Sequence, residues 1–360
     1  MATAVNVTQP LRVARHTIRF GVVLCLLILA LIAATVCGVT LGPVMIAPGH
    51  SVGVLLGGLG VHVGLPYTST EAQIILGLRL PRVLTAGLVG AGLASAGLAL
   101  QGLFRNPLAD PGITGVSSGG AFGAVLALAS GFAARIIWVV PALAFAFALV
   151  TALGVYALAI ERGRVQVASL LLAGVAVSSL MNAGITAVLT LTRDAERLRE
   201  ILFWLLGGFI NRTWGHVLTV APFVALGIAV LLAFARDLNV LLLGEEEASA
   251  LGLDVPRLRL IVLVVTALIT GAAVAVSGVI GFVGLIVPHA ARLVLGPDHR
   301  ALLPASALGG AAFLIAADTV ARLVLQPGEL PVGVLTALLG APFFLGLLVA
   351  NRRHALAFNA

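Results

Sequence analysis

The chain contains no lysine, and all 21 of its basic residues are arginine. That absence excludes a P-loop, whose lysine has to reach the phosphates of a bound nucleotide. Any ATP-driven step must therefore be powered by another chain. Charge of either sign is scarce as well, at 10% of residues, against 60% hydrophobic residues and a mean hydropathy of +1.15. A soluble domain of 360 residues would need many more charges to cover its surface, so the composition reads as an integral membrane protein. Cysteine is nearly absent: Cys25 and Cys37 share one apolar segment without CxxC or metal-ligand spacing, which points to packing rather than to a disulfide or thiolate centre. The seven histidines, His289 and His299 among them, show no HExxH spacing. No catalytic residue, metal or cofactor is expected. Net charge is +7, but the arginines are scattered at the ends of apolar runs rather than clustered. They read as topology signals, not as a nucleic-acid surface.

Glycine is plentiful at 42 residues, and in membrane helices it serves close packing. The stretch from Arg79 to Gly120 shows this best. Its apolar run from Val83 to Phe104, about 22 residues, is long enough to cross a hydrocarbon core. Small residues recur along it at Ala86, Gly87, Gly90, Ala91, Gly92, Ala94, Ser95, Ala96 and Gly97, as befits an inner helix of a bundle. A polar lead, residues 1–19, precedes a first run at 20–40, longer than the core of a cleaved signal peptide. Residues 41–78 are apolar but broken by Pro43, Pro48 and Pro66, and are expected to pack on the outer surface. Further spans are read at 114–133, 136–160, 168–192, 213–235, 259–278, 280–296, 301–325 and 332–351. Ile201–Ile210 is too short to cross and is expected as an interfacial helix with Trp204 at headgroup level.

The fold class is thus an all-α polytopic membrane protein with ten transmembrane helices. A single transmembrane domain occupies 20–351, including a cytoplasmic loop at 236–259, and 352–360 form a cytoplasmic tail. An even span count puts both termini on one side, and the arginine majority makes that side the cytoplasm. A shift of 181 lays Gly90, Ala91, Ala94, Gly97 and Pro107 on Gly271, Ala272, Ala275, Gly278 and Pro288. That alignment maps the second span onto the seventh, so the halves run in opposite directions as an inverted repeat, an architecture of transporters.

Three further patterns bear on function. Gly115-Val116-Ser117-Ser118-Gly119 fits G-x-S-x-G, but no strand precedes it and no His or Asp partner is evident. It reads as small residues at a helix start. Ser178, Asn182, Thr186 and Thr190 recur every four residues and form a polar stripe on the fifth span, either hydrogen-bonded between helices or lining a water-filled path. Asp318 and Arg322 lie four apart and can pair on one helix face. Residues 236–259 are helix-like, acidic at the centre and punctuated by Gly244 and Gly252, either a solvated loop or a docking element.

The chain resembles the FecCD-type permeases, ten-span membrane subunits of ABC importers for ferric siderophores, haem and cobalamin. The motifs that carry the resemblance are RLPR at 79–82, QGLFRNPLADPGITGVSSG at 101–119, FWLLGGF at 203–209, LGEEEASALG at 243–252, GFVGLIVPHAARL at 281–293 and ADTVARLVLQPGELPVGVLTALLGAPFFLGLL at 317–348. The resemblance implies a homodimer in membrane lipid with the path along its two-fold axis. It also implies two ATP-binding ABC subunits and a periplasmic substrate-binding protein. Carried over by position, Arg79, Arg82 and Arg322 are docking arginines for the binding protein, and Asn106 and Leu108 belong to the cytoplasmic gate. Gly244, Glu247, Ala248 and Gly252 contact the ATPase subunit, and the stripe Ser178, Asn182, Thr186 and Thr190 lines the translocation path. The expected protein is a bacterial inner-membrane permease for an iron chelate, haem or ferric siderophore, with cobalamin as the alternative cargo. It is not itself an enzyme. A secondary transporter would be expected to keep acidic residues in mid-span, and an intramembrane hydrolase a Ser-His pair at depth. Neither feature is evident.

Overall fold

The computed structural model describes residues 8–61, 64–136, 138–161, 164–165, 167–325 and 328–357, so the first seven residues of the expected lead and the last three of the expected tail lie outside it. Nearly all of the described chain is helical. Helix α1 (Thr8–Thr40) leads into two short helices, α2 (Pro48–Gly58) and α3 (Ser69–Gln73), and then into α4 (Leu80–Leu103). Helices α5 (Val116–Ala129), α6 (Val139–Leu158) and α7 (Val167–Leu191) follow, with a two-residue antiparallel ladder pairing Ile160 with Val165 before α7. Next come α8 (Ala195–Leu205), α9 (Trp214–Ala233), α10 (Ala235–Leu241) and α11 (Glu245–Ala250). Four long or medium helices close the chain: α12 (Val255–Ser277), α13 (Val283–Leu295), α14 (His299–Val324) and α15 (Val332–Ala357).

Among the described residues seven helices are long and apolar enough to cross a membrane, and three shorter apolar helices, Val116–Ala129, Val283–Leu295 and Val332–Gly346, join them. Their burial ranks them. The most apolar window of the run containing α4 is 83% buried and that of α12 72%, whereas those of α1 and α7 are only 11% buried. Helix α4 is therefore the axis of the bundle, and α1 and α7 lie at its edge.

Glycine explains how α4 reaches that position. A methyl group on Gly90 would sit 2.1 Å from the Gly310 carbonyl oxygen of α14, and one on Gly310 would sit 2.3 Å from the Gly90 oxygen. One turn pair further along, a methyl on Gly97 would meet the Gly284 oxygen of α13 at 2.2 Å. The backbones thus touch at both crossings, which gives dispersion contact where the membrane offers no hydrophobic drive.

Several boundaries differ from expectation, among them the start of α12 at Val255 instead of 259, and two have a clear local reason. The helix expected at 83–104 is continuous from Ser69 to Leu103, so RLPR lies inside a helix instead of before one. Pro81 brings no amide hydrogen to the preceding turn, and residues Ile74–Arg79 answer with a π-helical turn that reroutes the hydrogen bonds. The interfacial helix begins earlier and ends earlier than Ile201–Ile210. Asp194 accepts hydrogen bonds from the amides of Glu196 and Arg197 and starts α8, and the chain then turns at Gly207, whose φ is +72°.

The acidic segment expected between 236 and 259 is helical, as α10 and α11. Gly244 (φ +135°) precedes α11 and Gly252 (φ +88°) follows it. Both conformations disfavour a side chain. Glu245, Glu246 and Glu247 fill the first turn, where the helix dipole favours negative charge.

Because the Gly97 and Gly310 contacts are backbone against backbone, neither can relax by a rotamer change. Gly97→Ala and Gly310→Ala should each cost about 1–3 kcal/mol, whereas Gly154→Ala, with nothing within 4 Å, should cost far less. Thermal denaturation of the purified variants checks this, and equal midpoints for all three would remove the close-packing account of the axis.

Candidate functional site

One end of the bundle, the end expected to face outward, gathers four arginines and two acids that are far apart in sequence. Helix α1 ends there, leaving carbonyls without intrahelical partners at its negative pole. Arg79 donates from Nη1 to the oxygens of Val39 (2.8 Å) and Thr40 (2.7 Å), and from Nη2 to that of Val44. Arg322 donates to Gly38 O at 2.9 Å and lies 3.4 Å from the Asp318 carboxylate. Arg82 grips Asp318 with two parallel bonds of 2.9 and 2.8 Å, and its remaining donors reach Glu329 at 2.8 and 3.1 Å. A planar guanidinium suits that bidentate geometry.

The three arginines singled out from the sequence are thus brought together, and the Asp318–Arg322 pair forms as the spacing allowed. Their guanidiniums, however, are engaged within the chain. Arg79, Arg322 and Asp318 are buried, and only the Arg82–Glu329 pair approaches the surface. Arg79 and Arg322 act here as C-terminal caps of α1, a role that spacing alone did not suggest.

Beside this cluster opens a cavity of about 440 Å³, lined by Arg82, Asp318, Trp204, Phe209, Arg212 and His216 among others. Arg212 escaped sequence reading because it is a lone arginine in a short loop. Burial, with the neighbouring charge of Arg82 adding to it, lowers its guanidinium to about 10.

At the other end, α4 stops at Phe104 and the chain turns through Arg105, which has a φ of +47°. Asn106 Oδ1 then accepts the amide of Leu108 at 3.0 Å, forming an Asx turn that holds the expected gate loop. Pro107 and Leu108 face Phe282, Leu285, His289 and Phe343 of the α13–α15 side. Asp110 accepts from the Gly112 amide at 2.8 Å, and burial raises its carboxyl above the usual range against that bond. Two further residues sit behind the loop: Gln101 donates to Gly284 O at 2.9 Å and accepts from Arg292 at 3.0 Å, tying α4 to α13.

Helix α10 is tied to α14 in the same region. Asn239 donates to Asp298 at 2.6 Å and accepts the His299 amide at 2.8 Å. Burial alone would raise the Asp298 carboxyl, but its hydrogen bonds from the Arg300 amide and Asn239, with the charges of Arg300 and His299, hold it below its ordinary value. On α11, Glu247 is exposed and so is Leu251, whereas Ala248 is fully buried. Ala248 therefore anchors the helix, and a partner would meet Glu247, Leu251 and Gly252.

The α7 stripe is split. Ser178 accepts from Ser118 Oγ at 3.0 Å, while Thr186 and Thr190 donate back to the carbonyls of Asn182 (2.9 Å) and Thr186 (2.8 Å). Asn182, Thr186 and Thr190 are exposed, a polar face on an edge helix otherwise surrounded by exposed leucine and valine.

These elements define a polytopic helical membrane protein with an arginine-rich polar cluster at one end of the bundle and, at the other, the Asn106–Leu108 loop and an exposed acidic helix. Residues 26–350 match the FecCD transport family, and the chain belongs to it. It is 49% identical over 339 residues to the cobalamin import system permease protein BtuC of Halobacterium salinarum, covering 91% of this chain and 89% of that one. It is 44% identical over 290 residues to the hemin transport system permease protein HmuU of Yersinia pestis, covering 78% and 85%. A solved structure presented as the inward-facing conformation of a metal-chelate type ABC transporter superposes with a TM-score of 0.79 at 36% identity, over 91% of this chain and 98% of that one. The chain is accordingly a permease subunit of an ABC importer, and ATP hydrolysis falls to separate subunits.

Asp318 is the shared counter-ion of two arginines, so removing it strands buried charge. Asp318→Asn should destabilise by about 3 kcal/mol, and combining it with Arg82→Gln should cost less than the sum, with a coupling of about 1–3 kcal/mol. Denaturant unfolding of the two single variants and the double variant measures this. Strict additivity would mean the pair makes no energetic contact.

Proposed function

We infer that two copies of this chain form the membrane core of an inner-membrane importer, each contributing ten spans with both termini in the cytoplasm. The seven long helices and three shorter apolar ones support that count, and the 181-residue shift supports an inverted relation between the halves. The observation that carries the reading is the exposed polar stripe of α7 on a chain that matches the family over most of its length. A polar face at the edge of a membrane bundle needs water or a partner, and a second copy placed there turns the stripe Ser178, Asn182, Thr186 and Thr190 into the wall of a shared path. Asn106 and Leu108 close it on the cytoplasmic side. Glu247 and Gly252 meet the ATP-binding subunit, with Gly244 and Ala248 holding their helix in place. Arg82 is the outer arginine that a binding protein's carboxylate reaches by competing with Glu329, backed by Arg79 and Arg322.

The cargo is a bulky iron chelate, haem or a ferric siderophore, in keeping with the hemin permease relative. Cobalamin is the second reading, in keeping with the Halobacterium relative. Reconstituting the chain with its ATPase and binding protein, and measuring ATP-dependent uptake of hemin, a ferric siderophore and cobalamin, tests both. Accumulation of none of the three, or uptake without the ATPase subunit, would sink the importer reading.

Glu247 lies at the opposite end of the bundle from Arg82. In the reconstituted system Glu247→Arg and Gly252→Val should lower uptake per ATP hydrolysed several-fold while leaving binding-protein affinity unchanged. Arg82→Glu should weaken that affinity by about 1 kcal/mol and more so at low salt. The reverse pattern would exchange the two faces.

A further inference from the structure

The cavity beside the outer cluster holds one cation with no partner. Arg82 and Arg79 are answered by carboxylates or helix-end carbonyls, and Arg322, though its Nε also lacks a hydrogen-bond acceptor, donates to Gly38 O and lies 3.4 Å from the Asp318 carboxylate, but Arg212 makes no hydrogen bond or ion pair among the described residues. Its Nε is sealed from solvent without an acceptor. Glu200 also lines the cavity, yet no carboxylate oxygen lies within ion-pair distance of Arg212. The side chain is half-buried, and a guanidinium nitrogen sealed from water without an acceptor is costly and is normally answered by an anion. Burial and the charge of Arg82 both weaken its hold on its proton, as expected of a site with an excess of positive charge.

The backbone at this point is unusual too. Asn211, immediately before Arg212, has a φ of +57°, a conformation tolerated by asparagine but rarely adopted without cause. The loop is pinned beneath it by Gly207, where a methyl group would lie 2.3 Å from the Val279 oxygen. The wall also carries Phe203, Trp204, Phe209 and Leu330, beside Glu200, His216, Ser277 and the mutually paired Arg82 and Asp318. With Arg82 neutralised by Asp318, the one unpaired planar cation beside these apolar side chains matches one carboxylate on an apolar organic body.

We propose that Arg212 and this cavity form a binding site for the carboxylate of a small organic acid, presented by the cargo as it enters from the outer face. The site lies next to the Arg82–Asp318–Glu329 cluster, so a carboxylate arriving there and a partner carboxylate arriving at Arg82 meet neighbouring positive charges. That the carboxylate belongs to cargo rests on the importer reading. Anion binding itself does not.

The test uses the full-length chain in lipid nanodiscs, titrated with benzoate and with benzamide, its uncharged isostere, by ligand-observed NMR against empty nanodiscs. Saturable binding of benzoate and none of benzamide is expected. Arg212→Gln should weaken benzoate by about tenfold or more, the range for losing a charge-assisted bond, and Arg212→Lys should retain most of it. Since Arg212 bonds to nothing among the described residues and its sealed nitrogen costs stability, Arg212→Gln should melt at or above the wild-type midpoint. Equal titrations by wild type and Arg212→Gln, or equal binding of benzoate and benzamide, would overturn the site. So would a permease blind to benzoate whose affinity for its binding protein nevertheless falls in Arg212→Gln, since the carboxylate would then be the partner's. Binding is read on the permease alone, so its failure leaves ATP-driven uptake standing, and failed uptake leaves the titration standing.

Discussion

The constraint on which the rest depends is the direct backbone contact of α4 with α13 and α14. In lipid, apolar side chains gain nothing by leaving one another for hydrocarbon, so helices associate through dispersion at short range. Gly90 against Gly310 and Gly97 against Gly284 bring main chains together at two levels of one helix. With the axis held there, the polar groups at both ends of α4 are placed relative to α13 and α14. The Arg82–Asp318 pair at one end and the Gln101–Arg292 bond at the other are consequences of that crossing.

The arginine cluster illustrates how one residue type serves two needs. A helix that ends at a membrane surface leaves carbonyls to be satisfied, and arginine, with five donors and a permanent charge, satisfies several at once. Arg79 and Arg322 do this for α1. Arg82 then shares Asp318 with Arg322 and Glu329 with the surface, which leaves it the most accessible of the three. The structure therefore divides a group of arginines that looks uniform in sequence into two caps and one exchangeable pair.

The opposite end of the bundle follows a similar division of labour. Helix α11 is too short to be stable alone. It stands because Gly244 and Gly252 permit its tight entry and exit and because Ala248 is buried in the core. The face that remains outward is acidic with an exposed leucine. Asn239, through Asp298 and His299, joins the neighbouring α10 to α14, so a force applied at this surface has a hydrogen-bonded route into the bundle.

Hydropathy and spacing determined the membrane class, the positions of the apolar runs, the inner character of the helix rich in small residues and the family motifs. These are properties of local sequence, and local sequence suffices because a bilayer imposes one length and one polarity on every span. Helix ends were less legible: the span read from 259 begins at Val255, where Asp254 caps it. The π turn before Arg79 and the early start of α8 were set by Pro81 and Asp194 acting on neighbouring turns. Side-chain direction was decided by the tertiary structure alone. Arg82 and Asp318 are 236 residues apart, and no periodicity within either segment specifies that they meet. For the same reason the inward turn of Ala248, the capping role of Arg79 and the isolation of Arg212 became visible only once the helices had packed. Each depends on which groups a folded neighbour supplies or withholds, and in a low-dielectric interior that supply decides whether a charge is paired or left free.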